Sequence, residues 1–157
     1  MRATAAHDPA GDAAAGNPTH DSAGRRVVVR PREFGRGAPM EVGREGVRDL
    51  KVIYPETGFD AATLCFGIVE IDPARHSPLH RHRCEEMYYV LQGAGEVEQA
   101  GALFPIVAGD AVLNRPDVVH RVHNRGDVTL RLAVVAGIML VPLLAAWPTP
   151  SPYEILE

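Results

Sequence analysis

Apolar residues in this chain gather into short runs, and Gly, Pro and Asp cut one run from the next. Structure is expected to begin at RRVVVR (25–30). Strand-like runs follow: VRDLKVIY (47–54), ATLCFGIVEI (62–71), EEMYYVL (85–91), GEVEQ (95–99), DAVLN (110–114), VVHRVHN (118–124) and TLRLAVVAGIML (129–140). They are rich in the β-branched and aromatic residues that suit a pleated surface. No stretch of a dozen residues carries an apolar stripe of helical period. Many short strands separated by turn signals predict an all-β, antiparallel sandwich or barrel. The stretch LQGAGEV reads as a hairpin, with Gly93 and Gly95 free to take positive φ.

The remaining segments set the domain limits. Residues 1–24 are small and polar with no periodicity, so they are expected to be a disordered tail; His7 and His20 fall there and carry no argument. Residues 25–157 form one domain, as the total of 157 residues suggests. The last stretch, WPTPSPYEILE, is proline-rich and should lie extended over the surface or against a partner subunit. Residues 132–146, LAVVAGIMLVPLLAA, carry no charge but are interrupted by Gly137 and Pro142. They fall short of the roughly 18 to 20 residues a membrane span needs. A buried strand followed by an apolar crossing or a subunit contact is expected, and no membrane partner.

Charge and cysteine content narrow the classes. The formal net charge is −4, and no run of basic residues forms a stripe that would follow a phosphate backbone, so no nucleic-acid partner is expected. Arg supplies nearly all the positive charge, Lys51 being the one lysine. Cys65 and Cys84 do not make a disulfide framework. The first residues contain no apolar core of a secretory signal, so a cytoplasmic location with two free thiols is expected.

Candidate chemistry concentrates in HRHRCEEMYYVLQGAG (80–95). His80 and His82 are two apart, so in a strand both imidazoles leave the same face, about 6.6 Å apart along it. That spacing lets both reach one ion. Glu86, Tyr88 and Val90 share one face of the next strand, and Glu85, Met87, Tyr89 and Leu91 share the other; parity alone does not say which is inside. Downstream, His120 and Asn124 share a face while His123 points the other way.

These residues resemble the two motifs of the cupin superfamily. The first runs glycine, five residues, His-x-His, three or four residues, glutamate, six residues, glycine. Residues 74–93 match it with His80, His82, Glu86 and Gly93, and this register selects Glu86 over Glu85. Ala74 stands where the motif opens on glycine. The second motif begins at Gly109 and places His120 and Asn124 in its histidine and asparagine positions. Its proline position holds Arg115, with Pro116 one residue late, and its glycine position holds Asp117. The departures fall in turns, so they put the loop conformation in question and leave the ligands in place.

The resemblance implies a single-domain jelly-roll barrel, commonly a homodimer, with His80, His82, Glu86 and His120 around one divalent metal. Three imidazoles and a carboxylate suit Fe, Mn, Ni, Co or Zn without choosing among them. Six-coordination would leave positions for water, O2 or a chelating substrate. Tyr88 is the candidate general base beside the metal, as in similar small cupin lyases; the alternative is a packed barrel residue with a satisfied hydroxyl. His76 could stand at the pocket mouth or on the surface. Arg131 could face inward to a substrate carboxylate or outward, and Cys84 is expected to be a small buried residue.

The expected function is therefore a metal-dependent enzyme acting on a small polar or carboxylated molecule. An oxygen-dependent dioxygenase comes first, on family analogy. A non-redox lyase, isomerase or decarboxylase using Tyr88 follows, and a non-catalytic small-molecule-binding module comes third. A DNA-binding regulator is disfavoured, because the chain has no room for a second module beside the barrel.

Overall fold

The computed structural model describes residues 19–30, 41–42, 45–137 and 153–156. Their strands are β1 (Glu41–Val42), β2 (Val47–Ile53), β3 (Leu64–Ile71), β4 (His80–His82), β5 (Glu86–Gln92), β6 (Ala94–Gln99), β7 (Ala102–Val107), β8 (Ala111–Asn114), β9 (His120–Asn124), β10 (Leu130–Gly137) and β11 (Tyr153–Ile155). A single 3-10 turn, Pro55–Thr57, is the one helical element among them. All pairing is antiparallel. One sheet has the order β1-β2-β3-β10-β5-β8, and the other has the order β11-β4-β9-β6-β7. The expected all-β jelly roll is what forms.

Alternation decides which side chains go inside. In β10, Leu130, Leu132, Val134 and Ala136 are buried, while Arg131, Ala133 and Val135 are only partly so. In β5, Glu86, Tyr88 and Val90 are buried and Met87, Tyr89 and Leu91 are exposed, which settles the parity the sequence left open. The inner faces of both sheets meet in one cluster that includes Ile71, Val90, Val97, Val122, Leu130 and Leu132. A second apolar layer lies on the outer face of the larger sheet, where Leu50, Val52 and Ile68 pack with Val29 and Phe66.

Within the described residues, most predicted runs are strands whose ends move by one or two residues, and the exceptions have physical causes. RRVVVR is not a strand: only Arg26 makes a bridge, to His20, and Val29 instead covers the outer apolar layer. The expected hairpin at LQGAGEV is absent. β5 and β6 belong to different sheets, and Gly93, at φ 86°, turns the corner between them. Gly95 is required by crowding rather than by φ, since a Cβ there would lie 2.3 Å from the His123 carbonyl oxygen. β7 was not among the predicted runs, and it carries Pro105, a residue that weakens strands. The strand is nevertheless tolerated because β7 is an edge of its sheet.

Both motif departures sit in turns with one geometry. Arg75 N donates to Asp72 O, and Val118 N donates to Arg115 O. Each turn has proline in its second position and a residue at positive φ in its third: Ala74 at 60° and Asp117 at 63°. Thus Ala74 and Asp117 keep the backbone conformation for which glycine is favoured. Asp117 N also donates to His82 O at 2.7 Å, which ties this turn to the end of β4.

The first eighteen residues of the expected tail lie outside the described residues, as do residues 138–152 with most of the apolar segment and the proline-rich stretch. The part of the C-terminal stretch that is described, Tyr153–Ile155, is extended and pairs with β4. Among the described residues, no helix is long and apolar enough to cross a membrane.

Candidate metal centre

Both sheets contribute to the site. β4 brings His80 and His82 from the smaller sheet, β9 brings His120, and β5 brings Glu86 from the larger sheet. His80 lies opposite His120 in the β4–β9 pairing. Ser77 reinforces that pairing twice: its N–H donates to Val122 O, and its Oγ accepts from Val122 N.

One ligand atom from each of His80, His82, Glu86 and His120 lies within 4.8 Å of all the others, and all four residues are buried. His82 Nε2 and His120 Nε2 stand 3.3 and 3.1 Å from the same carboxylate oxygen, Glu86 Oε2. Metal bonds to nitrogen and oxygen are about 2.0–2.2 Å long, so small shifts of these side chains close the group on one ion.

The backbone fixes how the imidazoles point. Nδ1 of His80, His82 and His120 lies 2.8, 2.8 and 2.7 Å from the carbonyl oxygens of Pro78, Cys84 and Val118. A carbonyl can only accept, so each Nδ1 carries the hydrogen and each Nε2 is left for the site. Three such contacts, each to a residue two away in sequence, set all three rings before any ion arrives.

The same burial sets the charges. It presses the His80 imidazole down to about 4, helped by the nearby His120, so His80 is neutral near pH 7. Burial also opposes charge on His82, but hydrogen bonds with Cys84 and Glu86 outweigh it and push that imidazole up to about 10. For Glu86, burial alone would raise the carboxyl; hydrogen bonds from His120, His82 and Tyr88 instead hold it well below the usual carboxylate range. A neutral imidazole and an ionised carboxylate are the ligand forms a divalent ion needs, and His82 must release its proton to join them.

The other expected residues divide clearly. Tyr88 lies inside, 4% exposed, with its ring 6.4 Å from that of His120. Glu85 is exposed. His123 faces away from the cage but is buried, because its Nε2 lies 3.0 Å from Glu98 Oε2 and His76 packs against it, ring centroids 5.5 Å apart. His76 is therefore engaged on the outer face and does not stand at the pocket mouth. Arg131 points outward and pairs with Glu70 at 2.9 Å. Cys84 is half-buried against Tyr54, Cys65 and Ala136, and both cysteines are free thiols. Asn124 holds the fold rather than the cage: its Nδ2 donates to Ile71 O and Val128 O, and its Oδ1 accepts from Gly126 N.

Asn114 was missed. Fully buried at the end of β8, it donates through Nδ2 to Glu86 Oε2 at 3.3 Å and accepts from Gln99 Nε2 at 2.7 Å. Its inward parity beside a glutamate on the neighbouring strand depends on pairing, which no local pattern reports.

Residues 67–136 match the cupin domain model. The chain is also 30% identical over 115 residues to the oxalate-binding protein of Thermotoga maritima, an alignment covering 71% of this chain and 94% of that one. It belongs to the cupin superfamily. Among solved cupin-like structures it resembles a predicted oxalate decarboxylase from Thermotoga maritima, at 26% identity and TM-score 0.59, covering 71% of this cupin and 98% of that chain. The polyketide cyclase RemF from Streptomyces resistomycificus shares the fold at TM-score 0.61 and 22% identity, over 83% and 87% of the two chains.

Proposed function

We propose that this cupin is a metal-dependent enzyme acting on a small carboxylated molecule, with His80, His82, Glu86 and His120 as the metal ligands. The observation that carries the reading is the convergence of four buried ligand atoms, with all three histidines held by backbone carbonyls so that Nε2 is presented. A bound divalent ion would supply Lewis acidity, polarising a substrate carboxylate or carbonyl. The names of the Thermotoga maritima matches, oxalate-binding protein and predicted oxalate decarboxylase, support a carboxylate as the group that meets it.

Tyr88 favours non-redox chemistry of the lyase, decarboxylase or isomerase kind. Its hydroxyl is among the groups that bear on Glu86, and it is the inner-face residue next along β5. The Tyr88 hydroxyl would take or return a proton at a substrate carbon brought to the site. The oxygen-dependent dioxygenase is the second reading, supported by a donor set that leaves positions open beyond its four ligands. The homodimer is proposed to pack through the outer face of the larger sheet, where Met87, Tyr89, Leu91 and Leu113 are 43–49% exposed.

The test is turnover of small mono- and dicarboxylates, oxalate among them, by Mn-, Fe- and Zn-loaded protein, followed by mass spectrometry and an oxygen electrode. Product formed without oxygen uptake, and lost in Tyr88→Phe with metal retained, supports the first reading. Stoichiometric oxygen uptake that survives Tyr88→Phe supports the second. Carboxylate binding undiminished in a metal-free His82→Ala variant would leave a binding module instead.

A further inference from the structure

The inner face of β2 carries a charged pair that the metal cage does not use. Leu50 and Val52 belong to the outer apolar layer, whereas Val47 belongs to the inner core, so Asp49 and Lys51 point into the barrel. Lys51 is 5% exposed and bonds Asp49 through its ammonium. Its Nζ also lies 4.9 Å from the centre of the Tyr54 ring.

Gly67 makes room for the pair. It lies opposite Lys51 on β3, and a Cβ there would stand 3.4 Å from Asp49 Oδ1 and 3.1 Å from Leu50 O. The row continues across the sheet from Gly67 to Val134 and then to Tyr88. The adjacent row runs from Cys65 to Ala136, Glu86 and Asn114, and Tyr54 packs on Cys65 and Ala136. Lys51 therefore stands on the same wall of the barrel as Tyr88 and Glu86, at the far end of the row.

Several features distinguish this pair from an ordinary ion pair. Apart from the histidine contacts, every other ion pair among the described residues uses arginine, as in Arg48–Asp72, Arg121–Glu98 and Arg131–Glu70, and the chain's one lysine is placed inside. An ammonium has three donors. Asp49 takes one, and the Tyr54 ring face offers no lone pair of comparable strength. A buried ion pair is weak support for stability. The Lys51 side chain is buried and the Asp49 side chain keeps 30% exposure, so the pair is not sealed off.

We propose that Lys51, oriented by Asp49, holds an anionic group, a carboxylate, at the end of the substrate remote from the metal. The substrate class is then a small dicarboxylate or a carboxylate with a second anionic end. This rests on the metal-dependent reading above. It also gives Lys51 the role that the sequence offered to Arg131, which the structure places outside.

The test is calorimetry on Zn-loaded protein with diacids from oxalate to glutarate, each against the monoacid of equal carbon number. In the wild type at least one diacid is expected to bind about ten- to a hundredfold tighter than its monoacid, the worth of a charge-assisted hydrogen bond. Lys51→Met should bring that ratio near one while metal content and monoacid affinity stay unchanged, and Lys51→Arg should keep part of it. An unchanged ratio in Lys51→Met, or no diacid preference in the wild type, overturns the inference.

Acetylation separates the two readings and needs no variant to fold. Acetic anhydride targets the N-terminal amine, which serves as the internal control, and Lys51, which is 5% exposed. No Lys51 acetylation in the native protein, against full acetylation in urea, also overturns the inference, since an anion site must admit solutes. Millimolar amounts of the preferred diacid, or of glutarate where the protein takes up no metal, should protect Lys51 alone. Protection without metal uptake keeps Lys51 as an anion site and sinks the metal reading. Metal uptake without protection sinks the Lys51 site and spares the metal.

Discussion

Glu86 Oε2 lies 3.1 Å from His120 Nε2, although the two residues come from different sheets and are 34 residues apart. Asn114 holds the same oxygen from the other side at 3.3 Å. Partners that orient a ligand carboxylate usually govern metal affinity by ten- to a hundredfold. Asn114→Ala should therefore weaken Zn binding by about that factor in a chelator competition, without abolishing it. Unaltered affinity would show that Glu86 is held by the cage alone.

Metal-free protein should be most stable near pH 6.5. His80 is depressed to about 4 in the fold against 6.5 for the ordinary group. Between those values the unfolded chain takes up a proton that the folded protein refuses, so stability falls as pH falls, by up to about 1.4 kcal/mol per pH unit. His82 is raised to about 10, so it is charged in both states below 6.5 and adds no slope there. From 6.5 upward the unfolded chain releases that proton first, and stability falls as pH rises through the folded value. Urea unfolding at pH 5, 6.5 and 9 checks both limbs. Zn loading should flatten the alkaline limb, because the ion replaces the His82 proton.

Ala74→Gly should stabilise the protein. The left-handed conformation costs a non-glycine residue about 1–2 kcal/mol, and glycine's extra freedom in the unfolded chain returns about 0.4–1 kcal/mol of that. A net gain of about 0.5–1 kcal/mol is expected from the denaturation midpoint at unchanged slope. Asp117→Gly should gain less, since aspartate tolerates the left-handed region better than alanine does. Equal gains, or a loss at position 74, would contradict the turn geometry described.

Gly95→Ala should do the reverse. Its Cβ would meet the His123 carbonyl oxygen at 2.3 Å and Leu130 Cδ2 at 2.9 Å. The first is backbone of the paired strand β9 and cannot step aside, so a loss of about 1–3 kcal/mol is expected. Gly101→Ala, at φ 82° with no atom within 4 Å, serves as the comparison in which strain acts without a clash.

The cage was legible because its information is local. His80, His82 and Glu86 fall within seven residues, and with His120 they sit at the fixed offsets of the two cupin motifs, a resemblance that chose Glu86 where strand parity alone did not. Residues whose role depends on pairing were not legible. Asn114 meets Glu86 only because β8 lies beside β5, and Lys51 meets the interior only because β2 turns Val47, Asp49 and Lys51 inward ahead of its irregularity at Ile53. β7 was not read as a strand; its Pro105 is accommodated by edge position, which is a property of the sheet and not of the segment. The Gly93 corner looked like a hairpin because both need positive φ, and sequence does not say whether the next strand returns to the same sheet.

The central claim is that His80, His82, Glu86 and His120 hold a metal ion. Elemental analysis of protein purified without a histidine tag or chelator, beside a His82→Ala/His120→Ala variant of matched fold by circular dichroism, tests it most directly. The account predicts about one equivalent of a divalent transition metal in the wild type and none in the variant. No metal in the wild type, even after reconstitution with Mn, Fe, Co, Ni or Zn, or equal metal in both proteins, would contradict it.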